Sequence, residues 1–304
     1  MNNIKHWISA LRPRTLFLAL ASTICGNSIA YSTGFFNVSV CVLSILTATF
    51  LQLLSNLAND LGDFQHGTDV TGERVGPTRT VQSGAISSTQ MIRAIWFVMI
   101  LCAISGFLLI EEVSRFISIG YLLLFVFLGG TAIVAAIKYT AGKNPYGYRG
   151  LGDLFAFVFF GPVAVVGIYF LHVHEISFQP WLPAIGIGLF TTAVLNINNM
   201  RDMSNDIKSG KITLAAKLGL TKAKLYHSFL TFGGILCFIW YSLLYNMYYY
   251  EYFYMLFFFP LIWILFKLYK TPSNEMYDPY LRYTSISTFL LSISFSLCIT
   301  GSYI

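Results

Sequence analysis

Long apolar runs alternate with short polar breaks nine times along this chain. Windows of about 20 apolar residues, the length that crosses a hydrocarbon core, fall at 15–33, 38–62, 90–111, 115–139, 152–172, 181–202, 225–246, 250–269 and 283–303. A single segment in lipid satisfies its own backbone only as a helix, so each window predicts a transmembrane helix. Two runs end in an unusual way. The second leads into Asn56-Leu-Ala-Asn59-Asp60-Leu-Gly-Asp63, with Asp69 beyond it. The sixth leads into Asn196-Ile-Asn-Asn199-Met-Arg201-Asp202, with Asp206 beyond it. At helical spacing Asn56, Asn59, Asp60 and Asp63 share one face, and so do Asn196, Asn199, Asp202 and Asp206.

Composition supports the membrane reading. Of 304 residues 56% are hydrophobic and only 11% charged, with a mean hydropathy of +0.66; a soluble chain carries roughly twice that charge. The expected class is all-α and integral to the membrane, one domain over residues 1–304. The N-x-x-N start common to both polar clusters, four spans apart, points to a weak duplication of spans 1–4 and 5–8 with a ninth span added. Lys5, Arg12 and Arg14 before the first run imitate a signal peptide, but eight further spans make that run an uncleaved helix. Cys25, Cys41, Cys102, Cys237 and Cys298 all lie in apolar segments without C-x-x-C spacing and read as core residues. His172-Val-His174 is assigned to a short loop, and its spacing does not suit a helical metal pair. The Phe- and Tyr-rich stretch at 245–259 suits an interfacial belt and lipid-facing surface.

Charge sets the orientation. With the N-terminus inside, 18 of the 19 Lys and Arg residues fall on the tail and the loops after spans 2, 4, 6 and 8, leaving Arg115 alone outside. The positive-inside rule then puts the N-terminus in the cytoplasm and the C-terminus outside. The net charge of +6 follows from topology, and no nucleic acid is needed to explain it. Both acidic clusters land at cytoplasmic helix ends.

Acidic residues at membrane depth are costly and mark function. Two matched Asn/Asp clusters on one membrane face would repel each other unless cations joined them, and hard oxygens suit a divalent ion. Arg74 and Arg79 follow the first cluster, Arg201 lies in the second and Lys211 just after it. Carboxylates, a metal and Arg/Lys together describe a diphosphate site. A diphosphate handled beside lipid points to a polyprenyl diphosphate, whose departing diphosphate leaves an allylic cation that needs aromatic faces and a dry pocket. The loop Lys138-Tyr139-Thr-Ala-Gly-Lys143-Asn-Pro-Tyr146-Gly-Tyr-Arg149-Gly-Leu-Gly-Asp153 offers tyrosines for that cation, and Lys143 and Arg149 for an acceptor carboxylate. It reads equally well as a Gly/Pro-rich turn with interfacial tyrosines.

The clusters N-D-x-x-D at 59–63 with Asp69, and D-x-x-x-D at 202–206, resemble the paired aspartate motifs of the UbiA superfamily of intramembrane prenyltransferases. Supporting strings are R-x-G-P-x-R at 74–79, P-Y-G-Y-x-G-L-G-D at 145–153, N-I-N-N-x-R-D at 196–202, G-K-x-T-L at 210–214 and Arg12-Pro-Arg14-Thr-Leu. They are most similar to the branch that prenylates 1,4-dihydroxy-2-naphthoate. Asp69, six residues after Asp63 where the general motif has its third acid nearer, follows that branch. The resemblance implies nine helices around a central cavity, capped by cytoplasmic loops and open sideways to lipid, in a bacterial cytoplasmic membrane. It implies two Mg²⁺ ions, held by Asn59, Asp60, Asp63 and Asp69 on one side and Asn199, Asp202 and Asp206 on the other. Arg74, Arg79, Lys138, Arg201 and Lys211 are the candidates for diphosphate. Tyr139 and Tyr146 would shield the cation, Lys143 and Arg149 would hold the acceptor carboxylate, and Asp153 would serve as a base. The implied reaction joins a polyprenyl group to the naphthoate with loss of CO₂ and diphosphate. Alternatives are a 4-hydroxybenzoate or haem acceptor, a CDP-alcohol phosphotransferase (whose D-x-x-D-G-x-x-A-R pattern is missing here) and a cation-coupled transporter.

Overall fold

The computed structural model describes residues 2–67, 79–245 and 247–301. Among these, nine helical segments are long and apolar enough to cross a membrane, and there are no strands. An N-terminal helix α1 (Asn2–Leu11) precedes the spans α2 (Pro13–Ser32), α3 (Val38–Gln65), α4 (Ser88–Val113) and α5 (Ile119–Lys138). The fifth span is composite: α6 (Gly152–Val158), a π-helical stretch (Phe159–Val166) and α7 (Gly167–Val173). Then come α8 (Trp181–Arg201), the short α9 (Met203–Lys208), α10 (Leu214–Leu244), α11 (Phe258–Lys270) entered through a 3₁₀ segment (Tyr249–Phe257), and α12 (Asp278–Thr300).

Water does not drive spans together inside a bilayer, so close packing and interhelical hydrogen bonds must do it. The first and last spans are joined in that way. Ser285 donates to the Arg14 carbonyl at 2.9 Å, Ser292 to the Ala21 carbonyl at 2.7 Å, and Ser296 meets Ser28 at 2.8 Å. These serines recur at seven and four residues, one face of α12. Such bonds contribute about 0.6 kcal/mol each on average. The central span α8 meets the π-helical stretch backbone to backbone: a Cβ on Gly161 would lie 2.6 Å from the Ala184 carbonyl oxygen. Pro162 removes one backbone donor there, and the widened turn accommodates it. Phe190, Phe238, Tyr254 and Phe295 fill the core between α2, α8, α10 and α12. By contrast α5 buries only Ala135 and forms a thin outer wall.

Several boundaries differ from the hydropathy windows. The seventh span starts at Leu214 and turns at Gly219 (φ 75°), because a short amphipathic segment precedes the apolar run. His172 lies within α7 and is buried, accepting from the Asn37 amide at 3.1 Å and meeting Asn27 Oδ1 at 2.7 Å. Its loop assignment is corrected: the apolar Ile168–Leu171 run carries the helix onward. Within the Tyr-rich segment Tyr254 is fully buried and bonded to Ser242 at 2.6 Å. Helix α1, shorter than a span, packs Trp7, Ala10 and Leu11 against Leu54, Leu57 and Leu61 of α3.

Candidate functional site

A cavity of about 380 Å³ runs inside the bundle, lined mainly by α2, α3, α4, α5, the fifth span and α8. From Ser44 to Asp63, both in its lining, α3 rises about 28 Å at about 1.5 Å per residue. Its deep part is apolar, with Leu109, Phe125, Leu128, Val163 and Ile168; its mouth carries Arg12, Arg14, Asn56, Asn59, Asp63, Arg79, Asn198 and Lys211. A greasy shaft under a charged mouth suits an amphiphile with an anionic head.

The mouth is built by loops folded over the ends of α3 and α8. Gly62 permits the first contact: a Cβ there would lie 2.7 Å from the Thr140 carbonyl carbon. That approach lets Thr140 donate to Asn59 Oδ1 at 3.0 Å. One turn on, buried Asp63 accepts from Arg79 and from the Tyr148 hydroxyl, the latter at 3.1 Å. Lys211 lies 5.7 Å from the centre of the Tyr148 ring and 3.4 Å from Asp206 Oδ1. Backbone bonds fix this bridge, Ile212 N to Tyr148 O at 3.1 Å and Lys211 N to Asp206 O at 2.8 Å. The two acidic clusters therefore face each other across Tyr148 and Lys211.

Electrostatics follow from burial and proximity. Burial first, and then the like charges of Asp202 and Asp63, push the Asp206 carboxyl up to about 6 against the opposing pull of Lys211. Burial works against the Lys211 ammonium, but Asp206 and Asp63 outweigh it and hold the group charged. Burial, with Asp153, Asp63 and Asp206 nearby, raises the Tyr139 phenol and keeps it neutral. Tyr139 and Tyr146 both line the cavity, 5.4 Å apart edge to face, and Tyr146 stacks on Phe155 at 4.1 Å.

Not every expected residue reaches the cavity. Asp60 is turned away, its carboxylate accepting from the Thr80 amide (3.2 Å), the Thr80 hydroxyl (3.0 Å) and the Val81 amide (3.2 Å). The second stripe is also divided: α8 ends at Arg201 and α9 begins at Met203, which takes Asp206 off the α8 face, and within α8 the Asn196 face packs on α10. Asn196 bonds the Ala223 carbonyl of α10 at 3.0 Å, and Asn198 takes the place in the cavity wall. Arg201 forks onto Asp202 at 2.8 and 2.7 Å, and neither lines the cavity; Asn199 and Asp206 are also buried outside its lining. Lys138, Lys143 and Arg149 are exposed outside it. Asp153 is buried behind the cavity wall, and neither carboxylate oxygen has a hydrogen-bond partner. Asp69 and Arg74 lie outside the described residues.

Other residues at or beside the mouth carry no signal in the sequence: Gln52, Thr140, Asn198 and Asp278; Tyr148, one of the loop tyrosines offered for the cation, bonds Asp63 instead. Scattered neutral polar residues form no charged cluster, and a lone acid at a helix start such as Asp278 is accounted for by the helix dipole. Arg12 is legible in the sequence only through the inside charge and the Arg12-Pro-Arg14-Thr-Leu string, without a role at the site. It takes φ 48°, a left-handed value for a non-glycine residue at the cavity mouth.

The UbiA prenyltransferase family model matches residues 19–293. The chain belongs to the UbiA prenyltransferase family. It is 42% identical to the 1,4-dihydroxy-2-naphthoate octaprenyltransferase of Escherichia coli (strain K12), over 80% of this chain and 78% of that one. It is 46% identical to the protein of the same name from Haemophilus influenzae (strain ATCC 51907 / DSM 11121 / KW20 / Rd), over 78% and 76%. Solved UbiA homologues share the fold. One from Aeropyrum pernix K1 superposes with a TM-score of 0.66 at 16% identity, covering 95% of this chain and 98% of its own. One from Archaeoglobus fulgidus, bound to GPP and Mg²⁺, gives 0.61 at 15% identity, covering 97% and 99%.

The donor set of this UbiA chain suits a magnesium-type ion. Asp206 Oδ2 and Asn199 Oδ1 are buried oxygens without a hydrogen-bond partner, and hard oxygens with spare lone pairs are what Mg²⁺ takes. Among the described residues no three His, Cys, Asp or Glu groups converge into a metal cage. Amide oxygens, substrate phosphate and water would complete the shell, the usual way in which Mg²⁺ is held.

Proposed function

We propose that this chain transfers a polyprenyl group from a polyprenyl diphosphate to 1,4-dihydroxy-2-naphthoate, releasing CO₂ and diphosphate and giving demethylmenaquinol. The observation that carries the reading is the charged mouth over an apolar shaft, lined by Asp63, Arg79 and Lys211, with Asp206 just behind it and 3.4 Å from the Lys211 ammonium. The names of relatives at 42% and 46% identity support the acceptor. Asn59, Asp63, Asn199, Asp202 and Asp206, with Asp69, would hold Mg²⁺, two ions in all, while Asp60 acts through the Thr80–Val81 loop it anchors beside Arg79. When bound, the metal offsets charge on the leaving diphosphate.

The chain's own groups do the rest. Arg79 and Lys211, with Arg74 and Arg201 close in sequence, supply positive charge for diphosphate and for the electron pair it retains when the allylic C–O bond breaks. The neutral faces of Tyr139 and Tyr146 shield the allylic cation from water. The naphthoate ring attacks through its carboxyl-bearing carbon. Loss of CO₂ from the carboxylate returns that bond's electrons to the ring, so no net proton is needed. Lys138, Lys143 and Arg149 would guide the acceptor carboxylate from the loops, and Asp153 would take and return a naphthol proton. We place the N-terminus in the cytoplasm and the C-terminus outside a bacterial cytoplasmic membrane, with the shaft opening sideways to lipid.

Purified protein with Mg²⁺, a mixture of polyprenyl diphosphates and ¹³C-carboxyl naphthoate tests this. The expected result is a prenylated, decarboxylated product by mass spectrometry with matching ¹³CO₂. Product from 4-hydroxybenzoate alone would move the chain to another acceptor.

A further inference from the structure

Asp278 opens α12, where an acidic residue is favoured by the helix dipole alone. Its surroundings go beyond that. Arg14 Nη1 lies 3.3 and 3.2 Å from its two oxygens, and Arg201 Nη1 lies 2.5 Å from Oδ1. The rest of the Arg201 guanidinium is engaged too, by the fork onto Asp202 and by Asn198 Oδ1 at 2.9 Å. Asn274, four residues earlier, ties the same turn to the end of α8 through the Met200 carbonyl at 2.7 Å. One carboxylate therefore joins three distant parts of the chain. On one side stands Arg14, in the cavity wall. On the other stands Arg201, against the second acidic cluster.

We infer that Asp278 is a positioning residue for prenyl diphosphate binding: it holds Arg14 at the cavity mouth and Arg201 on Asp202. This rests on the reading of the cavity as a prenyl diphosphate site. A guanidinium on a long stem loses several rotors when it meets an anion, and a carboxylate that orients it beforehand removes that cost from the binding step. The Asp278 side chain is 37% exposed while that of Arg201 is 1% exposed. Losing Asp278 leaves Arg201 its fork to Asp202, so the fold survives while Arg14 loses its anchor.

The test compares the native chain with Asp278→Asn, Asp278→Glu, Arg14→Gln and the Arg14→Gln/Asp278→Asn double variant. Mg²⁺-dependent binding of geranyl diphosphate is read by calorimetry, and KM and kcat are read for each substrate. Asp278→Asn should weaken geranyl diphosphate binding about tenfold, the scale of one charge-assisted hydrogen bond. KM for naphthoate and the melting temperature should stay near native. Asp278→Glu should restore most of the affinity. The double variant should bind no more weakly than Arg14→Gln alone, since both changes remove one interaction. Additive losses, or native affinity in Asp278→Asn, overturn the inference. If the native chain binds geranyl diphosphate but does not prenylate naphthoate, the acceptor assignment fails and the Asp278 comparison still stands. If it does not bind geranyl diphosphate, both readings fail.

Discussion

Tyr148 donates its hydroxyl to Asp63 at 3.1 Å while its ring lies 5.7 Å beneath the Lys211 ammonium. A residue from the loop after the fourth span thus connects an acid on the second span to a base that follows the sixth. Tyr148→Phe keeps the ring and removes the donor. A hydrogen bond to a charged group contributes about 1.5–3 kcal/mol, so turnover should fall at least about tenfold, with KM for the prenyl diphosphate rising. Steady-state kinetics at saturating naphthoate measure it; native kinetics in Tyr148→Phe would show that the bridge is incidental.

Asp60 and Asp206 should fail differently when truncated. Asp60 anchors Thr80 and Val81 by three hydrogen bonds. Asp60→Ala should therefore lose turnover and also expose the chain near Arg79 to trypsin. Asp206→Ala should lose turnover with native proteolysis, because one oxygen of Asp206 has no protein partner to lose. Identical cleavage of both variants would remove the distinction.

Gly62 sits too close to Thr140 for any side chain. Its added Cβ would lie 2.5 Å from Oγ1 and 2.8 Å from the carbonyl oxygen of Thr140. Gly62→Ala should push the 139–142 turn off α3 and break the Asn59–Thr140 bond. Overpacking of this kind costs about 1–3 kcal/mol. A lower melting temperature and lost activity are expected, measured on the detergent-solubilised protein.

Acidity gives a further check. The Asp206 carboxyl titrates at 3.8 in an exposed reference and at about 6 in the fold, mainly because of burial. The folded state thus binds the extra proton between those values, and the Asp206 contribution to stability falls as pH rises through that window. Above it the carboxylate is ionised, and a bound divalent cation should restore what was lost. Mg²⁺ with inorganic diphosphate should raise the melting temperature more at pH 7.5 than at pH 5. An equal shift at both values would separate Asp206 from the metal.

The sequence alone determined the nine spans, because lipid demands about 20 apolar residues and leaves helices as the local solution. It also determined the two Asn/Asp clusters, since polar groups at span ends stand out against so apolar a background. Only the tertiary structure decided which members of each cluster look into the cavity. Helical phase groups Asp60 with Asp63, yet the Thr80–Val81 loop takes one and the cavity keeps the other. The packing of α8 on α10 turns Asn196 toward the Ala223 carbonyl and leaves Asn198 in the wall. Tyr148, Asp278 and Arg14 meet partners 63 to 264 residues away. Such contacts depend on how loops fold over helix ends, and no period along the chain records that.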